Sequence, residues 1–247
     1  MASGPLVLWD IDGTLLRVPG MGLLAFGRAC VALTGEAPSE ELVLVPGSTD
    51  RQAVLDQLAR LGRPASLAAP FLARMAEEFA ALRPELADKG WPLPGAGPLL
   101  QRLAEDGAVT QSVLTGNVEA IARQKLTTFG LAQHLDLDAG AYGDVCAERA
   151  DLLLLAWENQ QRLRGRSFLP EDTWVVGDTP RDLACARAHG ARCLLVATGQ
   201  YPLDELSPLC ADAVVPDLLD TKRILATLGL AGRPRADARR GAGRPDR

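Results

Sequence analysis

The 247-residue chain combines 47% hydrophobic with 23% charged residues, a composition typical of a soluble globular protein that excludes a disordered or fibrous one. Its apolar runs are far shorter than the roughly 18 residues that span a bilayer, and no basic segment leads into an apolar stretch at the N-terminus, so we expect a cytoplasmic protein with no membrane partner. The net charge of −5 divides into −9 on residues 1–230 and +4 on the Arg-rich residues 231–247. This division argues against nucleic-acid binding by the folded part and predicts a disordered basic tail.

Short apolar runs without polar alternation predict strands that are buried on both faces of a parallel sheet. Five such runs occur, at residues 6–9, 112–114, 173–176, 192–196 and 213–215. Helical patterns lie between them, at residues 96–105, 118–129, 147–163, 181–189 and 218–228. The alternation predicts an α/β fold with a doubly wound, Rossmann-like parallel sheet.

One long segment breaks this alternation. Residues 20–86 carry apolar side chains at helical spacing, and clusters of glycine and proline flank them on both sides. We therefore predict a helical domain at residues 19–89, inserted into a core formed by residues 1–18 and 90–230. Residues 231–247 form the predicted tail.

The five cysteines are scattered along the chain without any Cys-x-x-Cys pair. Their spacing predicts buried free thiols in preference to a disulfide framework or a zinc site.

Acidic side chains follow two of the predicted strands. Asp10 and Asp12 come directly after the first strand, and Gly13 allows a sharp turn there. Asp178 ends a later strand, and Asp182 lies in the first turn of the following helix. Ligands bind at the carboxyl ends of parallel strands, so we expect these four carboxylates to meet.

Such a cluster repels itself unless a cation neutralises it, and oxygen ligands of this kind suit Mg²⁺. A third strand ends in Thr115, Gly116 and Asn117, where a hydroxyl and a helix N-terminus predict a phosphate cradle. The residues themselves therefore indicate a magnesium-assisted site that acts on a phosphate group.

The order Asp-x-Asp-Gly-Thr, Thr-Gly-Asn and Gly-Asp-x-x-x-Asp resembles the motifs of the haloacid dehalogenase superfamily, over about residues 5–229. The helical insertion resembles that superfamily's α-helical cap of the first type, and the whole is similar to phosphoglycolate-phosphatase-like members. The resemblance implies that Asp10 is a nucleophile forming an aspartyl-phosphate and that Asp12 is the general acid and base. It also implies that Asp10, Asp178 and the backbone carbonyl of Asp12 bind Mg²⁺, with Asp182 supporting the metal.

The same resemblance implies that Thr115, with the backbone of Gly116 and Asn117, holds the phosphoryl oxygens. The family also has a lysine before the last motif, but none of the three lysines (89, 125 and 222) stands there. We predict that Arg149 takes its catalytic and phosphate-binding role, since arginine keeps the charge.

The predicted cap carries the choice of substrate. In its turn 46–51, Thr49 or Asp50 is a plausible helix N-cap, and Arg51 is predicted to contact an anionic substrate. Arg17, after the first motif, is predicted to be a solvated loop charge.

The leading hypothesis is a Mg²⁺-dependent phosphatase of a small phosphorylated metabolite, acting as a monomer or homodimer. Three alternatives stay open: a phosphosugar mutase, a 2-haloacid dehalogenase, and a non-catalytic binding protein that kept the fold. By the resemblance, dehalogenating members lack the second aspartate, so Asp12 favours phosphoryl transfer.

Overall fold

A computed structural model describes residues 4–38 and 45–231. Its strands are β1 (Leu6–Trp9), β2 (Leu16–Arg17), β3 (Trp91–Pro92), β4 (Thr110–Thr115), β5 (Ala141–Tyr142), β6 (Thr173–Gly177), β7 (Arg192–Val196) and β8 (Ala213–Val215). Its α-helices are α1 (Met21–Thr34), α2 (Asp50–Arg60), α3 (Ala68–Ala81), α4 (Arg83–Lys89), α5 (Ala96–Ala104), α6 (Glu119–Thr128), α7 (Asp151–Arg164), α8 (Pro180–Ala188), α9 (Leu203–Leu206) and α10 (Thr221–Thr227). The predicted tail lies outside the described residues from position 232 onward.

Six strands form one parallel sheet in the order β5-β4-β1-β6-β7-β8. All residues of β1, β4 and β6 are buried, as expected for strands covered by helices on both faces. Apolar clusters pack on the two sides of the sheet, one against α5, α6 and α10 and the other against α7 and α8. The predicted α/β fold with a doubly wound parallel sheet is confirmed.

Helices α1 to α4 are inserted in the sequence between β2 and β3. These two strands form a short antiparallel ribbon, in which Leu16 pairs with Pro92 and Arg17 pairs with Trp91. The four helices share an apolar cluster in which the rings of Phe26 and Phe71 lie 5.0 Å apart. Ile121 of α6 belongs to this cluster too, so the inserted helices pack directly against the core. We call α1 to α4, with the loops that join them, the cap.

Several sequence predictions about the elements were incomplete. The sheet has a sixth strand, β5, which is too short to show an apolar pattern. Helix α7 begins at Asp151 and not at residue 147, because residues 147–150 form a turn that leads into it. Helix α10 begins at Thr221, where Asp220 caps the helix by accepting a hydrogen bond from the Arg223 amide.

The five cysteines are free, as predicted. Three of them are buried and Cys146 is half-buried, but Cys210 is exposed, so the prediction of burial was wrong for that residue. No helix in the described part of the chain is long and apolar enough to cross a lipid bilayer.

Candidate active site

Three neighbouring strands place the predicted motifs at one edge of the sheet. Strand β1 lies between β4 and β6, and Trp9 is in register with Val113 and Val176. The loops that follow these strands therefore leave the sheet side by side. They line a cavity of about 520 Å³ between the sheet edge and the cap.

A buried carboxylate cluster forms at the bottom of this cavity. Ligand oxygens of Asp10, Asp178 and Asp182 all lie within 4.8 Å of one another. Burial, followed by the repulsion of neighbouring carboxylates, raises the pKa of Asp178 to about 8. Burial also raises the pKa of Asp10 to about 6, although the charge of Arg149 opposes the shift.

Arg149 lies within this cluster. Its Nη2 donates a hydrogen bond of 2.5 Å to Asp182 Oδ1 and lies 3.2 Å from Asp10 Oδ2. Burial would lower the pKa of the guanidinium, but the charges of Asp182 and Asp10 outweigh it and raise that pKa. The structure thus brings the predicted substitute for the family lysine next to the predicted nucleophile.

Asp182 is held by protein donors on both oxygens. Besides the bond from Arg149, its Oδ2 accepts hydrogen bonds from the Thr179 amide at 3.0 Å and the Thr179 hydroxyl at 2.7 Å. The bond from the Thr179 amide, together with one of 3.3 Å from the Asp182 amide to the Thr179 hydroxyl oxygen, forms the capping box at the start of α8. Asp182 therefore orients Arg149 as well as belonging to the acidic cluster.

Asp178 is closely enclosed by its neighbours. Its Oδ1 accepts a hydrogen bond of 3.1 Å from the Thr14 hydroxyl. A Cβ atom at Gly199 would lie 1.6 Å from Asp178 Oδ2, and one at Gly13, whose φ is +87°, would lie 2.4 Å from it. Glycine at these two positions leaves the room that the carboxylate needs.

The donor set fits a hard divalent cation. Three buried carboxylates face one buried guanidinium, which leaves an excess of negative charge, and the cluster offers only oxygen atoms as ligands. Mg²⁺ prefers such ligands and would relieve the repulsion that adds to the effect of burial on the pKa values of Asp10 and Asp178.

Asp12 lines the same cavity, and its side chain is 40% exposed. Its Oδ2 accepts hydrogen bonds from Lys125 Nζ at 2.6 Å and from Asn117 Nδ2 at 2.8 Å. Asn117 Oδ1 also accepts from Lys125 Nζ at 2.7 Å, so the three side chains form a closed triangle. Thr115 joins this network, because its hydroxyl oxygen accepts from Asn117 Nδ2 at 2.9 Å.

The sequence motifs did not predict Lys125 as a site residue, because it does not stand at the position before the last motif where the family has its lysine. A signal was present: Lys125 lies one helical turn after Ile121, on the buried face of α6, which also carries Ala122 and Leu126. A lysine in such a stripe is expensive to bury without a partner. Its ammonium also lies 5.6 Å from the centre of the Phe79 ring.

The cap turn 46–51 contacts the core at several points. Thr49 is the N-cap of α2, and its hydroxyl donates to the Ala147 carbonyl at 2.6 Å. Asp50 Oδ2 accepts from the Val118 amide at 2.8 Å, and the Asp50 amide donates to the Gly116 carbonyl at 2.7 Å. Gly116 lies directly below this turn, since a Cβ there would be 2.1 Å from the Ser48 carbonyl oxygen.

Two arginines lie elsewhere than predicted. Arg51 does not line the cavity, because its Nη1 donates to the Asp144 carbonyl at 3.2 Å. Arg17 is not a solvated charge: its Nη2 donates to the carbonyls of Thr198 and Gly199, each at 2.6 Å, and it lines the cavity. No pattern in the sequence indicated that the loop after β7 would supply these acceptors.

The family model of the haloacid dehalogenase-like hydrolases matches residues 7–187 of this chain. That match covers more than half of the chain, and the chain belongs to this family. No curated protein matches it.

Solved structures show the same fold. The chain is similar to CbbY from Rhodobacter sphaeroides in complex with phosphate, with 20% identity, a TM-score of 0.66, and coverage of 92% of this chain and 100% of that one. A mutant of CbbY in complex with xylulose-(1,5)-bisphosphate matches at 20% identity and a TM-score of 0.66, over 88% of this chain and 96% of that one. A predicted phosphoglycolate phosphatase from Haemophilus somnus matches at 18% identity and a TM-score of 0.62, over 91% of this chain and 99% of that one. At these identities the similarity defines the fold and leaves the substrate open.

The raised pKa of Asp178 predicts how stability depends on pH. A carboxyl group whose pKa is raised by folding stabilises the protein below its ordinary pKa, and this contribution is lost as the pH rises through the folded value. For Asp178 the window runs from about pH 4 to about pH 8. In metal-free buffer we expect the free energy of unfolding to fall by about 1 to 3 kcal/mol more across this window in the wild type than in Asp178→Asn.

Urea unfolding at several pH values, with chelator present, measures this difference. Asp88→Asn, which changes an exposed aspartate of α4, serves as the matched control and is expected to keep the wild-type slope. Equal slopes in the wild type and Asp178→Asn would contradict the prediction.

Proposed function

We propose that the protein is a Mg²⁺-dependent phosphatase that hydrolyses a small phosphorylated metabolite in the cytoplasm through an aspartyl-phosphate on Asp10. The observation that carries this proposal is that the carboxylates of Asp10 and Asp12 line the same cavity, each beside a buried cation. Family membership supports hydrolysis, and similarity to phosphate-binding and bisphosphate-binding structures supports a phosphorylated substrate.

In the first step a carboxylate oxygen of Asp10 attacks the phosphorus atom, and the bond from phosphorus to the alcohol oxygen breaks. Asp12 gives a proton to the departing alcohol. In the second step Asp12 takes a proton from water, the water oxygen attacks phosphorus, and phosphate leaves with Asp10 restored. Bound Mg²⁺, held by Asp10, Asp178 and the Asp12 carbonyl, would neutralise the phosphoryl oxygens.

Arg149 offsets the charge of Asp10 and of the incoming phosphoryl group, and Asp182 keeps the guanidinium in place. The Thr115 hydroxyl and the backbone of Gly116 and Asn117 remain the proposed contacts to the phosphoryl oxygens. Lys125 and Asn117 hold the Asp12 carboxylate toward the cavity. This placement of Asp12 favours phosphoryl transfer over dehalogenation, which has no leaving alcohol to protonate.

Replacement of the nucleophile tests the proposal directly. We expect Asp10→Asn to lower phosphate release from a panel of phosphate esters by more than about 1,000-fold, because a carboxamide is not a nucleophile of comparable strength. We expect chelator to abolish the wild-type activity and added Mg²⁺ to restore it. Asp88→Asn is the matched control.

Release of no phosphate from any ester, or equal rates for Asp10→Asn and the wild type, would rule out the phosphatase and favour a non-catalytic binding protein. Transfer of phosphate to a second position of the same sugar, without net release, would identify a mutase.

The buried guanidinium provides a second test. We expect Arg149→Ala to lower turnover by on the order of 100-fold or more, as loss of one charge-stabilising donor does in other enzymes. Arg149→Lys keeps the positive charge and is expected to retain part of the activity. Steady-state rates are measured under conditions where circular dichroism shows each variant folded, and a near-normal rate for Arg149→Ala would assign the role to another residue.

Lys125 provides a third test. We expect Lys125→Met to lower kcat by about 10- to 100-fold with little change in KM, because Asp12 loses the donor that orients its carboxylate. Lys89→Met is the matched control, since Lys89 pairs on the surface with Glu85. If KM rises while kcat stays constant, Lys125 binds substrate and does not position Asp12.

A further inference from the structure

The cavity has two unlike walls. The carboxylates and their cations lie on the side of the sheet edge, whereas the opposite wall is largely apolar. Apolar side chains reach it from the β2 loop and from α1, α3 and α6, namely Val18, Leu23, Phe26, Met75 and Ile121. A leaving group that extends from the phosphorus atom toward the cap meets this wall.

The cations that line the cavity already have partners. Arg17 donates to two backbone carbonyls, Lys125 donates to Asp12 and Asn117, and Arg149 pairs with Asp10 and Asp182. Within the described residues of the cavity lining, no further lysine or arginine is present to bind a second anionic group.

The cap adds negative charge to this wall. Asp50, with its Oδ2 on the Val118 amide, lines the cavity, whereas Arg51 turns away to the Asp144 carbonyl. A carboxylate or second phosphate on the part of the leaving group that reaches the cap would thus face Asp50 and apolar side chains. Arg17 keeps its charge, but the Thr198 and Gly199 carbonyls hold its guanidinium beside the loop that follows β7, so no described cation of the cap wall compensates the desolvation.

We infer that the substrate is a phosphate monoester whose leaving alcohol is uncharged and carries an apolar alkyl or aryl part. This inference rests on the proposed phosphatase function and narrows its substrate class. It sets the chain apart from the similar structure that holds a sugar bisphosphate, because none of the described lining residues of the cap is a lysine or arginine that could bind a second phosphate.

Leu23 offers a way to alter this specificity without disturbing the core. It lies on α1 at the rim of the cavity, and 53% of it is exposed. Its neighbour Leu24 is 40% exposed on the same helix and lies outside the cavity lining. A lysine at each position therefore adds the same charge at two adjacent sites, only one of which faces the substrate.

The experiment compares n-hexyl phosphate with 6-phosphonooxyhexanoate, which has the same chain but ends in a carboxylate. The leaving alcohols of the two esters have similar intrinsic reactivity, because they differ only at the end far from the phosphate. The ratio of the two kcat/KM values therefore reports contacts between the protein and that end of the alkyl chain. We expect the wild type to prefer hexyl phosphate by about 10-fold or more. We expect Leu23→Lys to reduce that ratio by about 10-fold and Leu24→Lys to leave it unchanged.

The possible outcomes distinguish failure of this inference from failure of the proposed phosphatase function. Preference for the carboxylate-bearing ester, or for phosphoglycolate, would overturn the inference and leave the phosphatase intact. Equal ratios in all three proteins would also overturn it. Hydrolysis of no ester at all would overturn the phosphatase and the inference together.

Discussion

The ion pair between Arg149 and Asp182 is almost completely buried, with 5% and 0% of the two side chains exposed. Charges at this depth interact strongly, and an unpaired carboxylate there would destabilise the fold by several kcal/mol. Asp10 pairs with the same guanidinium and Asp178 lies beside both carboxylates, so one positive charge faces three carboxylates. The site therefore keeps an excess of negative charge that a bound cation can relieve. Burial is the main cause of the raised pKa values of Asp10 and Asp178, and repulsion from neighbouring carboxylates adds to it.

The same arginine links the cap to the core. Its Nη1 donates to the Gly47 carbonyl at 3.2 Å, next to the contacts that Thr49 and Asp50 make with the core loops. Any movement of the turn 46–51 would thus change the surroundings of the guanidinium that neutralises Asp10. The charge balance at Asp10 and the position of the cap are therefore coupled through these hydrogen bonds.

The sequence predicted the parts of the site that depend on strand ends, because chain direction and parallel pairing alone bring Asp10, Asp12 and Asp178 to one edge. The sequence did not predict which partners the long side chains of arginine and lysine would bind. Arg51 and Arg17 were assigned from their neighbours in the chain, yet each binds carbonyls of a loop more than 90 residues away. Lys125 was discarded on position alone, although its place on the buried face of α6 indicated a buried partner. The ribbon of β2 and β3 is two residues long on each side and has no pattern to detect.

The distribution of lysine and arginine in the site follows from their chemistry. Arg149 must bridge two buried carboxylates and also reach the cap, and a planar guanidinium with several donors can do this while staying charged. Lys125 makes fewer contacts. Its single ammonium donates to Asp12 and Asn117, and its flexible stem packs along an apolar helix face. Arg149 makes its contacts from two nitrogens, Nη1 to the Gly47 carbonyl and Nη2 to the two carboxylates, whereas a lysine at position 149 would have a single nitrogen for all three. The site thus divides its positive charge between two places, with Arg149 beside Asp10, the proposed nucleophile, and Lys125 beside Asp12, the proposed acid and base.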